Sequence, residues 1–206
     1  MRHELIKGIT MHHKLIIAFI TLALILPSAV VGATDYTIDK DHSSVSFKVA
    51  HMVVSKTRGA FTDFSGKIIL ADDITASSVN VTIKVSSVDT ANSDRDEHLL
   101  SEDFFNSEKY PAITFKSTKI KKHGDHWVAH GDLTLKGVTK RVALPFEITG
   151  KIMDPWGNER IGIDIEPVTI DRQDYGISFS KTMEAGGLMV GNDVTIKIEL
   201  EAIKAK

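Results

Sequence analysis

Residues 79–85, Val-Asn-Val-Thr-Ile-Lys-Val, place an apolar side chain at every second position and a polar one between. Successive side chains of a β-strand point to opposite faces, so this segment predicts a strand with one apolar and one polar face. The alternation recurs along the chain, in the segments 45–49, 113–115, 133–135, 142–148, 161–165 and 194–200. Turn-forming residues separate these runs, as at Lys136-Gly137 and in residues 154–158. The sequence therefore predicts an all-β, antiparallel fold.

One charged segment, residues 93–105 (SDRDEHLLSEDFF), breaks this alternation. It lacks β-branched residues and spaces its apolar side chains as a helix does, with Ser93 or Asp94 as the expected cap. We expect one short helix here, ending before Tyr110-Pro111. The alternating strands suit either a sandwich or a closed barrel of about eight strands, and the pattern alone does not choose between them.

The bulk composition excludes several classes of protein. The 206 residues are 42% hydrophobic and 25% charged, with a formal net charge of -2 and no cysteine. Without cysteine there are no disulfides, thiolate nucleophiles or zinc–thiolate sites. Basic and acidic residues are mixed along the chain, so no basic footprint for nucleic acid is present.

The first 33 residues have the features of a secretory signal peptide. A start containing Arg2, Lys7 and Lys14 precedes an apolar run, and Val-Gly-Ala at 31–33 offers a cleavage site after Ala33. The alternative is a membrane anchor, but the run is short for a span and Pro27 interrupts it. Either Met1 or Met11 could be the start. We expect a leader over 1–33, one domain over 34–206, export to the periplasm and no stable membrane span.

Eight sequence blocks, in order along the expected domain, resemble the YceI-like family. They are Tyr36-Thr-Ile-Asp39, His42-Ser-Ser-Val-Ser-Phe47, Arg58-Gly-Ala-Phe61 with Phe64, Ser87-Val-Asp-Thr90, Arg95-Asp-Glu-His98, Tyr110-Pro-Ala-Ile-Thr-Phe115, Gly131-Asp-Leu-Thr-Leu-Lys-Gly137 and Ile170-Asp-Arg-Gln-Asp-Tyr-Gly176. Any one block is weak, but eight in sequence are specific.

The resemblance implies an extended, lipocalin-like β-barrel that is exported to the periplasm. It further implies a long isoprenoid ligand, of prenyl phosphate or quinone type, held in an internal tunnel without any other cofactor. Membership would make the protein a lipid carrier or store rather than an enzyme. The identity of the lipid, its loading partner, the direction of transport and the oligomeric state, including a homodimer, stay open.

Inward-facing apolar residues are the candidate walls of this tunnel. The candidates are Phe47, Val49, Phe61, Phe64, Val81, Ile83, Phe104, Phe115, Leu133 and Phe146. An isoprenoid has no polar group along its chain, so burial of apolar surface alone must hold it. Without the resemblance, a solid core would be the more usual role for such residues.

Histidines and arginines in the matched blocks are the candidate contacts to a lipid head group. They are His42, His51, Arg58, Arg95, His98 and Arg172. Guanidinium groups make paired hydrogen bonds to phosphate, although ion pairing or hydrogen bonding within the fold is the alternative role. No metal site and no catalytic residue are expected, because the chain lacks HExxH and G-x-S-x-G motifs.

Two rival functions stay open at this stage. An enzyme acting on lipids would use His42 with Ser43, or His51 with Asp96, and would need each pair within hydrogen-bonding distance. A structural, stress-associated protein would have a filled interior instead of a tunnel.

Overall fold

The computed structural model describes residues 32–182 and 186–206, so the predicted signal peptide lies almost wholly outside the described residues. The described part contains eleven strands and one α-helix. They are β1 (Thr34–Ile38), β2 (Ser44–His51), β3 (Ser55–Phe61), β4 (Phe64–Leu70), β5 (Ser78–Lys84), β6 (Val88–Asp89), α1 (Ser93–Leu100), β7 (Ala112–His123), β8 (His126–Leu135), β9 (Val138–Met153), β10 (Glu159–Asp171) and β11 (Val190–Lys204). Within those residues, no helix is both long and apolar enough to cross a bilayer.

Eight antiparallel strands form a closed barrel, which confirms the predicted fold. Their order around the ring is β1-β4-β5-β7-β8-β9-β10-β11, and β11 pairs with β1 to close it. The remaining three strands lengthen the barrel at one end: β2 pairs with β11, β3 with β2, and β6 with β3. A 3₁₀ turn at Lys40–His42 separates β1 from β2, so both strands lie along different parts of β11.

The two ends of the barrel differ, and each is named by what covers it. The helix end carries α1, the β2–β3 loop at 52–54 and the β8–β9 turn at Lys136-Gly137. The turn end carries the β7–β8 turn at 124–125 and the β9–β10 turn at 154–158. Both residues of the Lys136-Gly137 turn have positive φ, 49° and 76°, as a two-residue type I′ hairpin turn requires.

The short helix α1 lies where the sequence predicts one, although its cap is different. Asn92 is the cap, and its side-chain oxygen accepts a hydrogen bond from the backbone N–H of Arg95 at 2.9 Å. The expectation that Ser93 or Asp94 caps the helix is therefore wrong. The helix ends at Leu100 because both the backbone N–H and the hydroxyl of Ser101 donate to the carbonyl of His98.

A packed floor lies on one side of the turn end. Tyr36, Ile161 and Ala202 come from β1, β10 and β11 and are 0%, 1% and 0% exposed. The hydroxyl of Tyr36 donates a hydrogen bond to the carboxylate of Glu159, so this bond as well as packing holds the tyrosine ring in place. Close packing of this kind stabilises the barrel and prevents a tunnel from running through this side of the turn end.

Candidate functional site

A cavity of about 820 Å3 occupies the barrel between the floor and the helix end. That volume lies toward the upper part of the range for small-molecule sites, roughly 300–1,000 Å3. Inward-facing side chains of the ring strands form its wall, together with β2, β3 and α1. The wall therefore consists largely of the apolar strand faces that the alternation predicts, because successive residues of a strand point to opposite sides.

The inward side chains of β5 demonstrate that this interior is hollow. Val81 and Ile83 are only half-buried although they point inward, whereas their outward neighbours Thr82 and Lys84 are exposed. In a solid core such inward residues would be fully buried, as Ile161 is in the floor. The remaining accessible surface of Val81 and Ile83 faces the cavity.

Nine of the ten predicted tunnel residues line this cavity. They are Phe47, Val49, Phe61, Val81, Ile83, Phe104, Phe115, Leu133 and Phe146. Phe64 is not among the lining residues; it begins β4 directly after a break at Thr62-Asp63 and is packed in the core at 5% exposure. The contacts of these residues with a ligand stay a prediction.

Charged side chains line the cavity only toward the helix end. They are His51, Arg95, His98, Lys140, Arg141, Asp171, Arg172, Asp174 and Lys181. Five of these carry a permanent positive charge and two a negative one, so this end is cationic on balance. The half toward the turn end is lined by residues such as Ile74, Ile120 and Ala129. The site is thus charged at one end and mostly apolar, without charge, at the other.

Arg172 is a buried arginine in the wall of the cavity, only 3% exposed. Its guanidinium donates to the carbonyls of Ile177 at 2.6 Å and Gly191 at 2.8 Å, and to the side chain of Asn192. Burial lowers the pKa of this group from its ordinary value. These bonds tie β10 to the start of β11, so Arg172 has a structural role whether or not a ligand contacts it.

Arg95 and His98 project from α1 into the same end. Arg95 donates through Nε to the hydroxyl of Thr90 and through Nη2 to its carbonyl, both at 2.7 Å. The Nε2 atom of His98 lies 2.9 Å from Asp103, and its ring packs edge-on against Phe104 and Phe179. Both side chains are therefore held in place by the helix region and line the cavity without being buried.

His51 lines the cavity, but His42 and Arg58 do not. His42 lies on the outer surface with its side chain 61% exposed, and its hydrogen bond to Asp39 raises its pKa. Arg58 is exposed on β3 next to Thr57, which does line the cavity. Neighbouring strand residues face opposite sides, so Arg58 points away from the interior. A head-group role for these two residues has no support from their position.

Five charged residues of the helix end were absent from the sequence-based candidates: Lys140, Arg141, Asp171, Asp174 and Lys181. Lys140 and Arg141 immediately precede the apolar alternation of 142–148, and that position is the one signal that places them at a cavity mouth. Lys140 and Asp174 form an ion pair at 3.1 Å between β9 and the turn after β10. The pairing depends on the tertiary arrangement of β9 and the turn after β10, and it leaves no trace in local sequence.

The residue pairs of the enzyme hypothesis have other partners. The hydroxyl of Ser43 donates to the carbonyls of Asp39 and Glu201, and His42 bonds Asp39 at 2.9 Å. Asp96 accepts from both the backbone N–H and the hydroxyl of Thr90. These contacts explain the matched residues as supports for local structure.

A cluster of possible metal ligands lies outside the barrel, where oxygen or nitrogen atoms of Asp39, His42 and Glu201 converge within 4.8 Å. The guanidinium of Arg160 already bonds Asp39 and Glu201. It also donates to Asp154 at 2.7 Å. Burial alone would raise the pKa of Asp154, but these and neighbouring bonds hold it far below its ordinary value. The cluster thus already contains the positive charge that a metal would supply.

Comparisons with known proteins agree with this architecture. A family model described as the YceI-like domain matches residues 36–202. Protein YceI of Escherichia coli O157:H7 is 45% identical over 153 residues, which cover 73% of this chain and 79% of that protein.

Two solved structures are similar in fold. Burkholderia cenocepacia BcnA superimposes with a TM-score of 0.70 at 25% identity, covering 80% of this chain and 98% of the other. A polyisoprenoid binding domain from Saccharophagus degradans has a TM-score of 0.61 at 17% identity, with 82% and 98% coverage. The second likeness concerns the fold alone.

Proposed function

Since this chain belongs to the YceI-like family, we propose that it binds a long isoprenoid lipid in the barrel cavity and carries or stores it in the periplasm. The observation that carries this proposal is the hollow, apolar interior with charge at one end only. A fold neighbour is described as a polyisoprenoid binding domain, and such a chain matches the chemistry of this wall.

The apolar wall supplies affinity without any specific polar contact. Each methylene removed from water contributes about 0.8 kcal/mol, so a chain of about fifteen carbons gains about 12 kcal/mol before the cost of association. That cost removes several kcal/mol and leaves useful binding only for long chains. The cavity therefore selects by length and by the absence of polar groups along the tail.

The cationic helix end favours a lipid with an anionic or strongly polar head. Arg95 is held against Thr90, and Lys181 lines the same end, so a phosphate there would meet guanidinium and ammonium donors. A prenyl phosphate is our preferred ligand and a quinone the alternative. We assign no catalytic step, and the bound lipid is the one ligand that the proposal needs.

Native mass spectrometry of the detergent-free protein, with and without an added long-chain prenyl phosphate, tests this function. We expect a complex with one lipid, and the same spectra report the oligomeric state. Val81→Trp should weaken it because the indole fills the cavity, whereas Thr82→Trp on the outer face should not. Failure of the unmodified protein to retain any long-chain lipid would refute the proposal.

A further inference from the structure

The barrel wall is not hydrogen-bonded along its full height. The pairing of β9 with β10 stops at Phe146 and Ile165. From there toward the helix end, residues 138–145 of β9 pair with β8, and residues 168–171 of β10 pair with β11. In the described ranges no ladder pair joins these two segments to each other, so their facing edges are open.

A proline stands on each strand next to the last pair: Pro145 beside Phe146, and Pro167 two residues beyond Ile165. Proline has no backbone N–H to donate and is confined to strand edges and bulges. A bulge in β10 between Ile165 and Val168 includes Pro167 and turns the strand aside. Two prolines in the sequence, Pro145 and Pro167, therefore favour the separation of β9 and β10 at this point.

The gap between these edges opens into the cavity. Consecutive residues line it on both sides, 140–144 of β9 and 168–171 of β10. If only the inner face of each strand met the cavity, every second residue would line it. Val142 and Leu144 on β9, and Val168 and Ile170 on β10, are half-buried apolar residues that line the cavity on either side of the gap. From Lys140 to Phe146 the gap is about 20 Å long, at about 3.3 Å per residue. We call it the side slot.

One ion pair bridges the side slot toward the helix end. Lys140 and Asp174 meet at 3.1 Å, with side chains 42% and 58% exposed. Exposed pairs contribute little to stability, so this bridge separates readily. The helix end itself is covered, because Phe179 crosses to pack on Phe104 and His98 with ring centroids 5.0 Å apart. At the turn end the floor packs the side formed by β1, β10 and β11.

We propose that the side slot is the passage through which an amphiphilic lipid enters and leaves the cavity, with the Lys140–Asp174 pair as its clasp. The apolar rim suits the passing tail, and Lys140 and Arg141 offer cationic contacts to an anionic head that follows it. This inference rests on the proposed function, because it describes the route of the same ligand.

The chain contains no cysteine, so crosslinks can be placed without background. In Lys140→Cys/Asp174→Cys a short bismaleimide would join the two sides of the slot. The matched control is Lys67→Cys/Asp35→Cys, an equally exposed ion pair across the intact β1–β4 ladder. Stopped-flow fluorescence measures uptake and release of a dansylated long-chain prenyl phosphate. Crosslinking the slot should slow both rates roughly tenfold or more, as for a locked lid, and the control should not change.

The outcomes separate the passage from the binding function. The uncrosslinked variants could bind the probe and show the same uptake and release rates before and after the slot is crosslinked. That result would overturn the passage and leave the binding function intact. Absence of probe binding by every form would overturn the function, and the passage with it. A second variant, Pro145→Val/Pro167→Val, restores two backbone donors and should slow exchange in the same direction; faster exchange contradicts the proposal.

Discussion

If the interior is hollow, the same truncation should reduce the free energy of unfolding by different amounts at two positions of one strand. Ile161 and Ile163 both lie on the inward face of β10, two residues apart. Ile161 is 1% exposed in the floor, whereas Ile163 is half-buried and lines the cavity. Replacing each with alanine removes the same atoms from the same strand face, so the difference in cost reports on the surroundings.

The expected magnitudes follow from what surrounds each side chain. Ile161→Ala loses the transfer free energy and also leaves a new void in packed surroundings, so we expect about 3–4 kcal/mol. At Ile163 the vacated space joins an existing cavity, and the void term largely disappears. The transfer term of a partly buried side chain remains, about 1–2 kcal/mol.

Urea unfolding of the lipid-free protein measures both values, with the slope m checked for two-state behaviour. We expect Ile161→Ala to be the more destabilised variant by about 2 kcal/mol. Equal losses at the two positions would mean that the interior around Ile163 is as tightly packed as the floor. The reasoning from a hollow barrel would then be refuted.

Three further substitutions test other parts of the structure. Because the pKa of Asp154 is held low in the folded protein, this carboxylate contributes to the free energy of unfolding above its unfolded pKa, near 3.9. That contribution is lost as the pH falls through the folded pKa. Urea midpoints should therefore fall from about pH 5 downward, and Asp154→Asn should flatten that decline. Arg172→Lys keeps the charge but loses the planar set of donors, so thermal unfolding should show a loss of about 3 kcal/mol. Val53 has a φ of 64°, which strains a β-branched residue but suits asparagine, so Val53→Asn should raise stability by about 1 kcal/mol in the same assay. A loss of stability would contradict the inference that the backbone is strained at Val53.

The strands and their inward faces could be predicted from the sequence because both depend on a period of two. Phe47, Val81 and Leu133 line the cavity as the alternation indicates. Phe64 pairs with the inward-facing Ile83, but it is packed in the core at 5% exposure and does not line the cavity. Local pattern gives the face of a residue, but the joints between strands decide how deep it lies.

The charged residues were harder to predict because tertiary pairing decides their role. His42 and Arg58 belong to matched blocks, yet both lie on the outer surface. Lys140 and Asp174 are 34 residues apart and meet because the fold places β9 beside the turn that follows β10. No spacing rule in the sequence would bring them together.

The position of β11 has a consequence for the order in which the molecule can fold. This strand pairs with β10, β2 and β1, and thus with segments from both ends of the described domain. Pairings so distant along the chain make folding slow, since loop closure must precede the gain from contact. Until residues 190–204 arrive, the earlier strands can form only an open, curved sheet. A polypeptide synthesised from its amino end would therefore keep an open barrel until residues 190–204 have emerged.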